Sequence, residues 1–261
     1  MLHFLHSYNI IYSGDDTMKT IPQNEYINYL SAASSMDICR VYPMSVAEGL
    51  QNGQIYTDNG ISLFRHKNNF AFITGTPTAD FIDEIYSLII NGGMKFMCTD
   101  NAVCETIAKR PDIATATRYL YDFPSDSAPL LTLPDGYSFA NIDKNTFNAI
   151  TGRVAPSVFW DSAEDFLTNG IGVCVMHGSK PVSWAFSAAI SSDEFDIGIQ
   201  TAEAHRGKGL SKAAAAKLIN DMLPYKRPTW MCHSTNIGSA HIAESLGFRK
   251  YGQCTMLKRA D

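Results

Sequence analysis

Apolar residues recur along this chain in two periods, and the change from one to the other marks its elements. ISLFRHKNNFAFITGT (61–76) alternates on both sides of a polar centre and predicts a β-hairpin. ADFIDEIYSLIING (79–92) spaces its apolar residues three and four apart and predicts an amphipathic helix. KFMCTD predicts a strand, NAVCETIAKR a second helix stopped before Pro111, and ATRYLYDF a closing strand. PSDSAPLLTLPDG (124–136) has the Pro, Ser and Asp density of a linker.

Beyond the linker the alternation resumes. YSFANID predicts a strand, KNTFNAI and FWDSAEDFLTNG predict helices, and IGVCVMHGSKPVSWAFSAAIS predicts two strands turning at Gly178 to Lys180. EFDIGIQT is a predicted strand. HRGKGLSKAAAAKLI (205–219) then runs two glycines into a helix ended by Pro224, with Leu210, Ala214, Leu218 and Met222 on one apolar face. TWMCHST, SAHIAESLGF and KYGQCTMLKR complete the order as strand, helix and strand. The pattern predicts a mixed α/β chain of two domains, 18–125 and 126–261.

The two halves share a motif. Met-Cys, then Asn, then Ile-Ala recur at Asn101, Ile107 and Ala108, and again at Asn236, Ile242 and Ala243. Each copy follows a strand and a long helix, which predicts an internal repeat. In the first copy FAFITGTPTADFIDEI carries one glycine and three acids where the second has RGKGLS, so only the second half is expected to hold a phosphate.

Composition narrows the function. The chain has 261 residues, 45% of them apolar, and a formal charge of −5 with no long basic run, which disfavours a nucleic-acid surface. No segment has the apolar length of a membrane span. The six cysteines (39, 98, 104, 174, 232 and 254) form no C-x-x-C pair and predict reduced, buried thiols in a cytoplasmic protein. MLHFLHSYNIIYSGDDT lacks the basic start of a signal peptide, and MKTIPQNEYINYL after it looks like an ordinary amino terminus. Residues 1–17 are therefore expected to be an extension ahead of Met18.

The glycine loop carries the chemistry. The first N–H groups of a helix have no internal partner, and the helix dipole makes that end positive, so it attracts an anion. A strand, a loop AEAHRGKGLS and a helix in this order resemble the acetyl-CoA site of the GNAT superfamily of N-acetyltransferases. Arg206, Gly209 and Ser211 hold the places of that family's R-x-x-G-x-G/A signature, with Ser211, a small side chain, replacing the final Gly or Ala. Its N-x-x-A/S and L-G-F motifs are matched by Asn236, Ser239 and Leu246 to Phe248, so the likeness spans 131–261. FWDSAEDFLTNGIG and LSKAAAAKLI are most similar to the branch containing the zwittermicin A resistance acetyltransferase.

The resemblance implies a GNAT fold with acetyl-CoA as co-substrate. Backbone amides from Gly207 through Lys208, Gly209 and Leu210 to Ser211 would cradle the pyrophosphate, with Arg206 and Lys208 adding charge. Ile199 and Thr201 would pair with the pantetheine arm, and Asn236 and Ser239 would lie near its far end. Ala243 stands where many members carry a tyrosine that protonates the departing thiolate, so that role has no candidate. No metal is expected.

Strand alternation puts Asp196, Gly198 and Gln200 on one face and Ile197, Ile199 and Thr201 on the other. Asp196 matches the place of the family's amine-deprotonating carboxylate, with Glu194 on the same face as an alternative. His233 is a third candidate for proton transfer, although a structural histidine fits as well. Phe159 and Trp160 are candidates for the acceptor pocket or for core. The expected acceptor is a small-molecule amine; the alternative is an acetyl-CoA sensor or interaction protein without turnover. The motifs leave a homodimer open.

Overall fold

The computed structural model describes residues 18–260, so the predicted extension at 1–17 lies outside the described residues. Strands β1 (Lys19–Thr20), β2 (Gly53–Asp58), β3 (Ile61–His66), β4 (Phe70–Thr74), β5 (Lys95–Cys98) and β6 (Ile113–Asp122) belong to the first half. Strands β7 (Tyr137–Asn141), β8 (Gly172–His177), β9 (Lys180–Ile190), β10 (Glu194–Thr201), β11 (Arg227–His233) and β12 (Arg249–Arg259) belong to the second. All join one twelve-stranded sheet in the order β1-β2-β3-β4-β5-β12-β6-β11-β10-β9-β8-β7. Among the described residues the helices are α1 (Leu30–Ser34), α2 (Val41–Ala47), α3 (Ala79–Gly92), α4 (Asn101–Ala108), α5 (Lys144–Ala149), α6 (Pro156–Phe159), α7 (Ala163–Asn169), α8 (Leu210–Met222) and α9 (Ile237–Leu246). None is long and apolar enough to cross a membrane.

The strand order joins the halves by exchange. β12, the last strand of the second half, lies beside β5 of the first, while β6, the last strand of the first half, lies beside β11 of the second. The two exchanged strands pair antiparallel from Arg249↔Asp122 to Arg259↔Ile113. Each half repeats strand, helix, strand, helix, strand, as β4-α3-β5-α4-β6 and β10-α8-β11-α9-β12. The first two strands of each set pair parallel over a short length, Phe70↔Lys95 to Phe72↔Met97 and Glu194↔Arg227 to Asp196↔Thr229. Beyond those pairs the strands diverge.

The periodic segments form the predicted elements with a few differences. FWDSAEDFLTNG is two helical pieces, because Ser162 turns the chain and its hydroxyl caps α7 by accepting from the Asp165 amide. The repeated Asn plays two roles: Asn236 is the N-cap of α9, while in α4 Asp100 is the cap and Asn101 is the first helical residue. The pattern gave no elements for residues 18–58, which form β1, short helices, α2 and β2. The Asn59-Gly60 turn between β2 and β3 has positive φ at both residues, 43° and 85°, the signature of a tight hairpin.

Helix α2 locks the halves together. Its following loop inserts Gln51, buried, whose Nε2 donates to the Ala188 carbonyl (3.2 Å) and whose Oε1 accepts from the Ile190 amide (3.0 Å). Those groups flank an irregularity in β9, where Ala188 is the extra residue opposite the step from Asp196 to Ile197 in β10. Arg40, just before α2, binds Glu194 and Asp193. The side chain of Tyr42 joins Phe72, Met97, Leu120, Ala189, Met231 and Met256 in a core that draws on both halves.

Candidate active site

β10 and β11 separate after Asp196 and Thr229, and the gap opens into a cleft of about 410 Å³. Ile199, Gln200 and Thr201 line it from β10, Asn236, Gly238, Ser239 and Ile242 from the start of α9, and Arg206, Gly207, Gly209, Leu210 and Ser211 from the glycine loop. The sequence-derived cofactor residues therefore converge on one cleft, apart from Lys208. Lys208 Nζ instead donates to Tyr137 Oη (2.8 Å) and sits 5.3 Å from that ring's centre.

The loop geometry explains the two glycines. Gly207 and Gly209 have φ of 77° and 73°, left-handed values that side chains resist. Gly209 is the N-cap of α8 and offers no side-chain acceptor, so the first amides of this helix face the cleft without a cap. The corresponding helix of the first half differs. Thr78 caps α3 by accepting from the Phe81 amide (3.2 Å), and Asp80 lies in its first turn. A smaller cleft of about 200 Å³ there, lined by Ile73, Thr74, Gly75, Cys98 and Asp37 among others, has no glycine loop. A capped, acid-bearing helix end repels the anion that an uncapped one attracts.

Asp196 sits where the strands part. It is 4% exposed, accepts from Tyr42 Oη (2.8 Å) and Thr229 Oγ1 (3.2 Å), and has its pKa pushed up to about 7. Burial is the main cause; the hydrogen bond from Tyr42, the positive charge of Arg118 and the hydrogen bond from Thr229 oppose it. A carboxylate in this state exchanges a proton near neutrality. Glu194, on the same face, is held by Arg40 at 2.7 Å. His233 accepts at Nδ1 from the Thr235 amide (3.2 Å), which ties the ring to the turn before α9.

The remaining candidates are spread differently. Trp160 is buried and spends its Nε1–H on the Ser187 carbonyl (2.8 Å), and Phe159 packs edge-to-face on Phe186 at 5.4 Å. Both belong to the core of the second half, and neither lines the cleft. Asn236 Oδ1 accepts from the Ser239 amide (3.2 Å), while the Ser239 hydroxyl accepts from Trp230 Nε1 (3.1 Å), so the pair shapes the α9 end of the cleft. Ala243, at the tyrosine position, is fully buried.

Sequence reasoning missed Tyr42 and Arg118, which reach Asp196 from the first half. Arg118 Nη2 donates to the Met231 carbonyl (3.1 Å), its guanidinium lies 5.0 Å from the Phe70 ring centre, and its buried Nε has no partner. Neither residue belongs to a local motif. The repeat was the available signal, since it implied that a first-half strand could stand beside β11.

Comparison with known proteins agrees with this arrangement. The family described as GNAT acetyltransferase matches residues 39–257, well beyond the 131–261 that the motifs span. An uncharacterized N-acetyltransferase of Bacillus subtilis (strain 168), YdfB, is 25% identical over 239 residues, covering 84% of this chain and 90% of the relative. A GCN5-related N-acetyltransferase-like protein from Streptococcus suis 89/1591 superposes with a TM-score of 0.73 at 23% identity, covering 91% of this chain and all of that one. A tandem GNAT protein from the clavulanic acid biosynthesis pathway superposes with a TM-score of 0.56 at 13% identity, covering 94% and 99%. GNAT acetyltransferases generally use acetyl-CoA and an amine-bearing acceptor. With the family match running through both halves and the exchanged strands between them, the chain belongs to the GNAT acetyltransferase family.

Proposed function

We propose that this enzyme transfers the acetyl group of acetyl-CoA to the primary amine of a small molecule, with Asp196 as the general base. The observation that carries the reading is a buried carboxylate, with a pKa near 7, at the parting of β10 and β11. The uncapped helix N-terminus and its glycine loop lie at the far end of the same gap.

The chemistry asks little more of the chain. Asp196, directly or through water, removes one proton from the acceptor ammonium, and the free amine attacks the thioester carbonyl. The tetrahedral adduct loses its second N–H proton to water as the C–S bond breaks. The products are an acetamide and coenzyme A, whose thiolate takes a proton from solvent. With Ala243 buried, this account needs no tyrosine as acid, because a thiolate is a far better leaving group than an amide ion. The uncapped amides of α8 and Arg206 hold the pyrophosphate, and Ile199 and Thr201 offer backbone to the pantetheine arm.

The likeness to the zwittermicin A resistance branch makes an aminated antibiotic one acceptor to test, and the cytoplasm and a homodimer are the proposed setting. A sensor that binds acetyl-CoA without turnover is the alternative, motivated by the missing tyrosine. Release of free thiol from acetyl-CoA across a panel of small amines separates the two. Amine-dependent thiol supports the enzyme, whereas tight cofactor binding with no thiol from any amine supports the sensor.

A further inference from the structure

The sheet face that carries Asp196 holds a concentration of positive charge which acetyl transfer to a simple amine leaves unexplained. Side chains two apart on a strand point the same way. Lys95, Arg118 and Lys258 are therefore on the same face as Met97, Leu120 and Met256, members of the shared core that Tyr42 caps. Lys95 Nζ and the Arg118 guanidinium both lie against the Phe70 ring, 5.6 Å and 5.0 Å from its centre. Phe70 is in turn 5.6 Å from Tyr42, the residue that binds Asp196. In the register of β6, Arg118 stands directly beside His233, the last residue of β11 at the gap. Ala116, one step along the same face of β6, stands opposite Met256 and packs against that core.

A fourth charge comes from the loop ahead of α6. Arg153 is exposed on the loop whose Val154 amide donates to Gln200 Oε1 (2.9 Å), and Gln200 shares the Asp196 face of β10. The Lys95 ammonium is pushed below its ordinary pKa, first by burial and then by the charges of Arg118, Lys258 and Arg153. Among the described residues no salt bridge to a carboxylate involves Lys95, Arg118 or Arg153. Like charges gathered at a half-buried site, in a chain whose net charge is −5, raise its energy until an anion neutralises them. The partnerless Nε of Arg118 adds a buried donor that an anion would satisfy.

We propose that the acceptor is an anionic amine, a small molecule whose carboxylate or phosphate group is held by Lys95, Arg118 and Arg153 while its amine reaches Asp196. This rests on the acetyltransferase reading above. The transfer itself is unchanged: the N–C bond forms, the C–S bond breaks, and the anionic group takes no part beyond binding. Such a site disfavours polycationic acceptors, so an aminated antibiotic would need an anionic group of its own to meet Lys95, Arg118 and Arg153 favourably.

The test uses the full chain and matched acceptors: amino acids against their decarboxylated amines, and aminoalkyl phosphates against the corresponding amino alcohols. The anionic member of at least one pair is expected to be turned over with a kcat/KM about 10-fold or more above its neutral partner, and which pair responds separates carboxylate from phosphate. Its KM should rise with ionic strength. Lys95→Glu and the exposed loop variant Arg153→Ala should each raise that KM several-fold, with the dissociation constant for acetyl-CoA unchanged. Equal or better use of the neutral amines, with KM indifferent to both substitutions, would overturn the proposal. If acetyl-CoA binds but no amine is turned over, the acetyltransferase reading fails by itself. Calorimetry of inorganic phosphate on the CoA-saturated protein then decides the anion site: binding weakened by Lys95→Glu and Arg153→Ala supports it, and binding absent or unaffected overturns it.

Discussion

Tyr42 donates its hydroxyl proton to Asp196 Oδ2 at 2.8 Å, across 154 positions of sequence and across the boundary between the two halves. The bond favours the charged carboxylate, against the larger effect of burial that favours the neutral acid. Tyr42→Phe removes only that oxygen. The pKa of Asp196 should then move up, and the ascending limb of kcat/KM against pH should shift to higher pH with it. A residue that merely packed would leave the limb in place.

Asp196→Asn should lower kcat by roughly 10² to 10⁴, the range usual for loss of a general base, with little change in acetyl-CoA affinity. Normal turnover across pH would move the base to Glu194, His233 or a water chain.

The same substitution has a stability signature of defined sign. The folded pKa of Asp196, about 7, lies above its ordinary value of 3.8, so the unfolded chain gives up this proton first as pH rises. Its contribution is fully present below pH 3.8 and is lost as pH rises through about 7. Asp196→Asn should therefore remove a part of the fall in melting temperature between pH 5 and pH 8, and be relatively more stable at the upper end. Parallel melting curves for both proteins across that range would count against a raised pKa.

Gly209→Val should abolish measurable acetyl-CoA binding in calorimetry. No atom lies within 4 Å of a Cβ added there, so the damage would come first from a φ of 73° that a β-branched residue resists. Relaxing that strain turns the first amides of α8 away from the cleft. Affinity equal to wild type would place the cofactor elsewhere.

Asn101→Ala, in the first half, should leave that affinity unchanged, because α4 is capped by Asp100 and the adjacent cleft lacks a glycine loop. Asn236→Ala removes the cap of α9 at the cleft, should cost about 1 kcal/mol of stability, and should weaken binding. Equal losses from both would show that the first half also holds cofactor.

Ala243→Tyr tests whether departure of the thiolate limits the rate. Ala243 is fully buried in the core with Trp230 and Phe248, so the larger side chain should destabilise by about 1–3 kcal/mol and bring no gain in kcat. A large rate increase would show that an acid was needed.

The sequence by itself determined the local parts. Apolar periodicity gave the order of strands and helices from residue 61 onward, and two glycines running into a helix marked the N-terminus of α8 as the candidate anion end. Alternation along EFDIGIQT put Asp196, Gly198 and Gln200 on one face, since a strand has period two whatever surrounds it. The repeat of Met-Cys, Asn and Ile-Ala pointed to two like halves. Tertiary structure alone decided how those halves combine. Exchange of β6 and β12 brings Arg118 beside His233, and α2 carries Tyr42 to Asp196, through pairings between residues far apart in the chain. Local pattern encodes which face a side chain takes, but not which distant strand becomes its neighbour. The glycine loop and the uncapped helix it opens, one continuous stretch of chain, were therefore legible in the sequence. The surroundings of Asp196, drawn from both halves, became visible only once the sheet was assembled.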